Sequence, residues 1–178
     1  MLRLLLAALF GLGFGLTASE ISAQTISDRL RDPSRKPGMP LVIGILGEPI
    51  PLPVEELTKR SDLILEAKLS WVKTYINAAD TAVITDYAIL PIRTLAGTVP
   101  VVANRPGVAT PFLLSVYGGE VVRDGVTIRA ENKDLEQLTN GRSYLLFLKR
   151  FGKESGVYEI YNAGAFELSD NVVRPLAR

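Results

Sequence analysis

From Leu63 onward the apolar residues recur at every second position, and that period restricts the fold more than any other feature of the chain. In LILEAKLSW, Leu63, Leu65, Ala67, Leu69 and Trp71 alternate with Ile64, Glu66, Lys68 and Ser70. A period of two is that of a strand with one face covered. INAADTA then turns the chain, and AVITDYAILPI (Ala82–Ile92) repeats the pattern, with Val83, Thr85, Tyr87 and Ile89 on one face. Pro91 lacks a ladder donor and marks an edge or a bend.

The same reading continues to the C-terminus. PFLLSVYGG (Pro111–Gly119) is a third strand, ending in two glycines. In EVVRDGVTIRAE, Asp124-Gly125 separates two β-branched runs, a strong signal for a two-residue hairpin. NKDLEQLTNG has the composition for one helical turn, stopped at Gly141. SYLLFLKRF and GVYEIYNAGAFELSD are further strands, joined at Gly152–Gly156. In the first of these, Tyr144, Leu146 and Leu148 point one way and Leu145 and Phe147 the other. Five apolar residues are too few to span a membrane. Both faces must therefore be covered, one by the domain interior and the other by a short helix or an N-terminal arm.

Ahead of the strands, PVEELTKRSD (Pro53–Asp62) predicts a short helix. Pro53 suits its first turn, and Glu55–Lys59 and Glu56–Arg60 have the favourable i,i+4 order. No helical patterns of 10–15 residues alternate with the strands, so a parallel α/β sheet is not expected. The pattern predicts a mainly β domain over 54–178: a small antiparallel OB-like barrel of five or six strands with one or two short helices.

The N-terminus reads as an address. Arg3, an apolar run from Leu4 to Leu16, and small residues ending in Ser22-Ala23 have the layout of a secretory signal peptide over 1–23. Cleavage after Ala23 leaves Gln24 first and no stable membrane span. Gly11, Gly13 and Gly15 lack the flanking strand and helix of a dinucleotide loop. Residues 24–53 form a Pro-rich lead-in arm. Pro33, Pro37, Pro40, Pro49, Pro51 and Pro53 oppose a regular helix there. Its apolar piece LVIGILG (Leu41–Gly47) is expected to dock on the domain as an edge strand.

Composition limits the chemistry. The 178 residues include no His and no Cys. Zinc, copper and iron–sulfur sites lose their usual ligands, and His- or Cys-based nucleophilic machinery loses its parts. The net charge of +1 gives no attraction for nucleic acid. Ser70 and Lys73 form an S-x-x-K, and Ser169-Asp170-Asn171 an S-D-N, which together suggest a serine hydrolase. No K-T-G accompanies them, and on a strand residues three apart face opposite ways. Lys149, Arg150 and Lys153 with Phe151, Tyr158 and Tyr161 read as a strand end, and Glu131, Asp134 and Glu136 as a loop surface. Tyr117 before Gly118-Gly119 marks either a ligand groove or a barrel corner. No catalytic, cofactor-binding or metal-ligating residue is predicted.

The order RSDLILEAKL, AVITDYAILPIRTLAG, FLLSVYGGEVVRDG, LTNGRSYLLFLKR and YNAGAFEL resembles a group of exported bacterial proteins of unknown function. Their domain is similar to the OB-type barrel of tissue inhibitors of metalloproteinases and netrin-like modules. The likeness covers about Val54 to Leu176. It implies a periplasmic or extracellular binding domain, non-enzymatic, with an exported or cell-envelope protein as partner. Protease inhibition follows only as an analogy of fold. The inhibitors chelate their target's zinc through an N-terminal Cys, which is absent here. A rigid loop at Val102–Thr110 is the alternative inhibitory element.

Overall fold

A computed structural model describes residues 24–45, 52–100, 111–132, 135–151, 157–169 and 172–177. Its backbone is dominated by two long strands, β2 (Leu63–Ile76) and β3 (Val83–Ala96), joined by the turn at Asn77–Ala82. The Asn77 Oδ1 accepts the amides of Thr81 and Ala82 at 2.9 and 3.0 Å, which fixes that turn. Strand β4 (Phe112–Tyr117) lies antiparallel to β3, and β7 (Ser143–Arg150) lies antiparallel to the other edge of β2. Beyond β7 come β8 (Val157–Ser169) and β9 (Val172–Pro175), giving the order β4-β3-β2-β7-β8-β9.

The sheet closes on itself because β4 also pairs with β8, through Leu113↔Val157 and Leu114↔Tyr158. Five strands thus form an OB-like barrel, with β9 appended. The seam is short, and the Phe112 and Tyr158 rings meet across it edge to face at 5.1 Å. This seam is parallel, unlike the all-antiparallel barrel expected: β8 runs alongside β4 in the same direction. Curvature comes from bulges. The β2–β3 register shifts in three places, and the β7–β8 register jumps from Leu146↔Ala165 to Leu148↔Ile160. Asn162 and Ala163 take positive φ in that jump.

The expected alternation holds. Leu63, Leu65, Ala67, Leu69, Tyr87, Ile89, Tyr144, Leu146 and Leu148 fill the barrel. On the outside, Ile64 and Phe147 are buried beneath Leu57 of a short helix, α2 (Val54–Arg60), and Phe147 meets Phe166 at 5.8 Å. The central strand is therefore covered on both faces, as its composition requires. On α2 both cations turn to Glu56, Lys59 at 3.4 Å and Arg60 at 3.2 Å, instead of Lys59 pairing with Glu55.

Beside the barrel lies a second, three-stranded sheet. The Asp124-Gly125 turn has φ of 52° and 74°, the geometry of a type I′ hairpin, and joins β5 (Gly119–Arg123) to β6 (Val126–Asn132). β1 (Leu41–Ile45) of the lead-in arm adds to β6 in parallel, from Leu41↔Ile128 to Ile45↔Asn132. This brings the described strands to nine: the barrel sheet holds six, and the expected hairpin and edge strand form a separate sheet of three.

The arm also contains a helix, contrary to the expectation from its prolines: α1 (Ile26–Arg31). It ends before Pro33, and a Thr25–Asp28 capping box starts it. Ile26 is buried against Ile43, Val83 and Ile128 in a small second core. The predicted helical turn at Asn132–Gly141 is absent among the described residues: Asn132 ends β6, Leu135 bridges Ala177, and 136–141 is irregular or turn. The signal peptide 1–23 and the Gly152–Gly156 joint lie outside the described residues.

Candidate binding cavity at the barrel mouth

The third barrel strand ends in Tyr117, and Gly118 and Gly119 then take φ of 122° and 119° to swing the chain into β5. The corner is held from both sides. The Gly118 amide donates to Val83 O at 2.9 Å, and Thr85 Oγ1 donates to Gly118 O at 2.7 Å. A Cβ on Gly119 would lie 2.3 Å from Thr85 Oγ1, so the close approach itself requires glycine there.

Opposite the corner runs the segment Leu135–Leu138. Tyr87 Oη donates to Leu138 O at 3.1 Å, Glu136 N donates to Leu176 O at 2.9 Å, and Leu135 N donates to Asn132 Oδ1 at 3.2 Å. Between this segment, the glycine corner and β6 lies a cavity of about 420 Å³. Thr85, Tyr87 and Leu138 line its inner part, and Glu120, Arg129 and Gln137 are among its exposed polar groups.

Burial, and then the neighbouring Tyr144, push the Tyr87 phenol up to about 12. It is a protonated donor at neutral pH, committed to the Leu138 carbonyl. Arg129 donates through Nε and Nη2, at 3.1 and 2.8 Å, to Oε2 of Glu120 across the hairpin. Glu136 accepts from Arg174 at 2.7 Å, and Arg174 also reaches Glu167 at 2.6 Å. These carboxylates raise the Arg174 guanidinium further above its ordinary value, Glu167 first and then Glu136. The Arg129–Glu120 and Arg174–Glu136 pairs are exposed on both sides and stabilise by only about 0–1 kcal/mol each. Their effect here is to fix orientation.

One hydrogen-bond chain leads outward from the corner. The Trp71 Nε1–H can only donate and the Gly118 carbonyl can only accept, so the direction is determined. Trp71 donates to Thr74 Oγ1 at 3.3 Å, Thr74 to Thr85 at 3.0 Å, and Thr85 to Gly118 O at 2.7 Å.

Tyr117, Gly118 and Gly119 are therefore both a corner and part of a groove, the two readings that the sequence left open. Glu131 and Glu136, expected on a loop surface, line the same cavity, Glu131 from β6; Asp134 lies outside the described residues. Ser70 and Lys73 lie exposed on β2. A bulge at Val72 pairs them with Ala88 and Asp86, two residues apart on β3. They thus share a face, contrary to the simple alternation. The Lys73 ammonium lies 4.7 Å from the centre of the Tyr75 ring. Ser169 is on β8, which β7 separates from β2, and Asp170 and Asn171 lie outside the described residues.

Lys149 sits 4.7 Å over the Tyr161 ring and Arg150 sits 5.9 Å over that of Tyr158, so each cation rests on an aromatic neighbour. Lys153 and the Val102–Thr110 loop lie outside the described residues.

Arg129, Glu120 and Gln137 carried no motif. The hairpin did contain a signal for the first two: a two-residue turn at Asp124-Gly125 sets Glu120 opposite Arg129, as found. No family model, curated protein or solved structure matches this chain.

Proposed function

We propose that this chain is an exported, non-enzymatic binding domain on a netrin-like OB barrel, and that it holds an exported or cell-envelope partner at the barrel mouth. One observation carries the reading: a ready-formed cavity of about 420 Å³ beside the Gly118-Gly119 corner. Its size falls in the range of about 300–1,000 Å³ usual for small-ligand sites. The absence of His and Cys from the whole sequence supports binding over catalysis.

The test is capture from the native envelope by wild-type protein and by Gln137→Trp, which sets an indole at an exposed edge of the cavity. A component retained by the wild type and lost by a folded Q137W supports the reading. Equal capture by both overturns it. Export has its own check: N-terminal sequencing of protein from the native host is expected to begin at or near Gln24, and a chain beginning at Met1 refutes it.

A further inference from the structure

We propose that a second copy of this chain docks edge to edge on β1, so that the two three-stranded sheets join into one of six. This stands whether or not the cavity binds a ligand. The first ground is how the sheet edges are guarded. Among the described residues three strands end a sheet, β1, β5 and β9. An open edge invites pairing with another chain, and charges or proline within it discourage that. β5 carries Glu120 and Arg123, and β9 carries Arg174 and Pro175. β1 is LVIGI, with neither a charge nor a proline.

The strand is also complementary to itself. Leu41 and Ile43 turn to the second core, so Val42 and Gly44 turn to the other face. Val42 is 53% exposed. A Cβ on Gly44 would meet nothing within 4 Å, and Gly44 is not among the positive-φ glycines. Neither crowding nor backbone conformation within one chain therefore calls for glycine there. An antiparallel pair centred on Ile43 of both copies supplies a reason. It aligns all five residues of β1 and sets Val42 of each copy opposite Gly44 of the other. Cross-strand neighbours lie about 4.5–5.5 Å apart, so the valine covers the bare backbone. Opposed residues are both odd or both even in number. Whichever alternate set of N–H and C=O groups faces outward therefore meets its own kind.

Charge agrees with this register. β6 sets Arg129 beside Val42 and Glu131 beside Gly44. Across the junction the row reads Arg129 and Val42, then Gly44 and Glu131 of the second copy. The two charges are opposite in sign and about 14 Å apart, three strand spacings. The two-fold axis is normal to the sheet and keeps both cavities on one side of it. A partner with two matching epitopes then engages both at once and gains avidity without any new contact.

The five residues of β1 are far fewer than the about 20–30 a side of a standard interface, so the dimer dissociates on dilution. Analytical ultracentrifugation of protein from its native host, at concentrations up to about 1 mM, is expected to show a monomer–dimer equilibrium. Val42→Lys places a charge at an exposed position of the edge. It is expected to weaken dimerisation tenfold or more with an unchanged circular dichroism spectrum.

The chain has no Cys, so introduced ones report the register alone. Val42→Cys and Gly44→Cys proteins, mixed and oxidised, are expected to form a mixed disulfide. Val42→Cys alone is expected to form none. Position 42 of one copy lies two residues along from position 42 of the other, about 8 Å away and beyond disulfide reach.

A monomer at every concentration overturns the proposal. A dimer that a folded V42K leaves unchanged lies on another surface and overturns it too. Disulfide formation by V42C alone, as readily as with G44C, overturns the register and with it the pairing of Val42 over Gly44. Should V42K misfold, the cysteine pair decides.

Discussion

Ile26→Ala tests how the arm is held. Ile26 is 1% exposed and packs in the second core with Ile43, Val83, Ile128 and Ala130. Truncation removes three carbons, about 2.4 kcal/mol at about 0.8 kcal/mol per buried methylene. A residual cavity adds to this, but Leu30 and Leu41 at its margin are only half-buried and can relax inward. The cost is then about 2–3 kcal/mol, near the low end for such truncations. Amide hydrogen exchange reads the result. Protected amides of β1 and β6 should exchange roughly 30- to 150-fold faster, because the lost energy falls on local opening. Those of β7, and of β2 away from Ile76, should change little, since the barrel core and this cluster share no residue. Unchanged exchange in β1 would show that the arm is held by something other than Ile26. Equal acceleration of the barrel amides would show that arm and barrel unfold as one unit. Either result refutes the reasoning.

Acid should open the same junction. Asp80 accepts the Ser27 amide at 2.9 Å and pairs with Arg123, and its carboxyl is held below the ordinary 3.8 by Ser27 first and Arg123 second. A depressed carboxylate stabilises fully above its unfolded value and loses that contribution as pH falls through the folded one. Proteolysis with an acid-active protease should therefore release the arm only below about pH 4, and D80N should abolish the pH dependence. Gly119→Val should cost about 2 kcal/mol or more, from positive φ and the contact with Thr85, read as a lower urea midpoint. Phe147→Ala should cost about 3–5 kcal/mol in the same assay; a loss under about 1 kcal/mol would mean that α2 does not seal the outer face.

What was legible in the sequence was local. Alternation at Leu63–Trp71 gave the interior face of β2, and the apolar run at Tyr144–Leu148 required two covered faces and has them. Asp124-Gly125 set a hairpin register to the residue. Non-local events were not legible. The β4–β8 seam joins residues more than 40 positions apart through two pairs, and no periodicity encodes it. A bulge breaks the alternation at the end of the Leu63–Trp71 run: Val72 is absorbed, and Ser70 and Lys73 come to one face. The helix α1 was hidden by the prolines that follow it, although Thr25 and Asp28 were there to cap it. The cavity draws on four separate stretches, at 85–87, 116–120, 129–132 and 135–138, each of which alone reads as strand or loop.

The arm and the cavity are mechanically one problem. β1 pairs with β6 through Arg129, Ala130, Glu131 and Asn132, and those four residues form one wall of the cavity. The arm thus supports that wall from behind. β6 is otherwise held by its hairpin partner β5, which leaves the barrel at Gly118-Gly119, and by Ile128 and Ala130 packing in one cluster with Val83 of β3. An isolated two-stranded ribbon is marginal in water, and a third strand brings it into the stable range. The order of dependence therefore runs from Ile26 and Asp80, which seat α1, to β1, to β6, and from there to the Glu120–Arg129 pair. A chain cut at Pro53 keeps the barrel core and loses this support. Its cavity should bind more weakly than that of the intact chain even though none of the lining residues has been removed. If the cut chain binds as tightly as the intact one, the wall stands without the arm, and the docked segment serves only to cover the edge of β6.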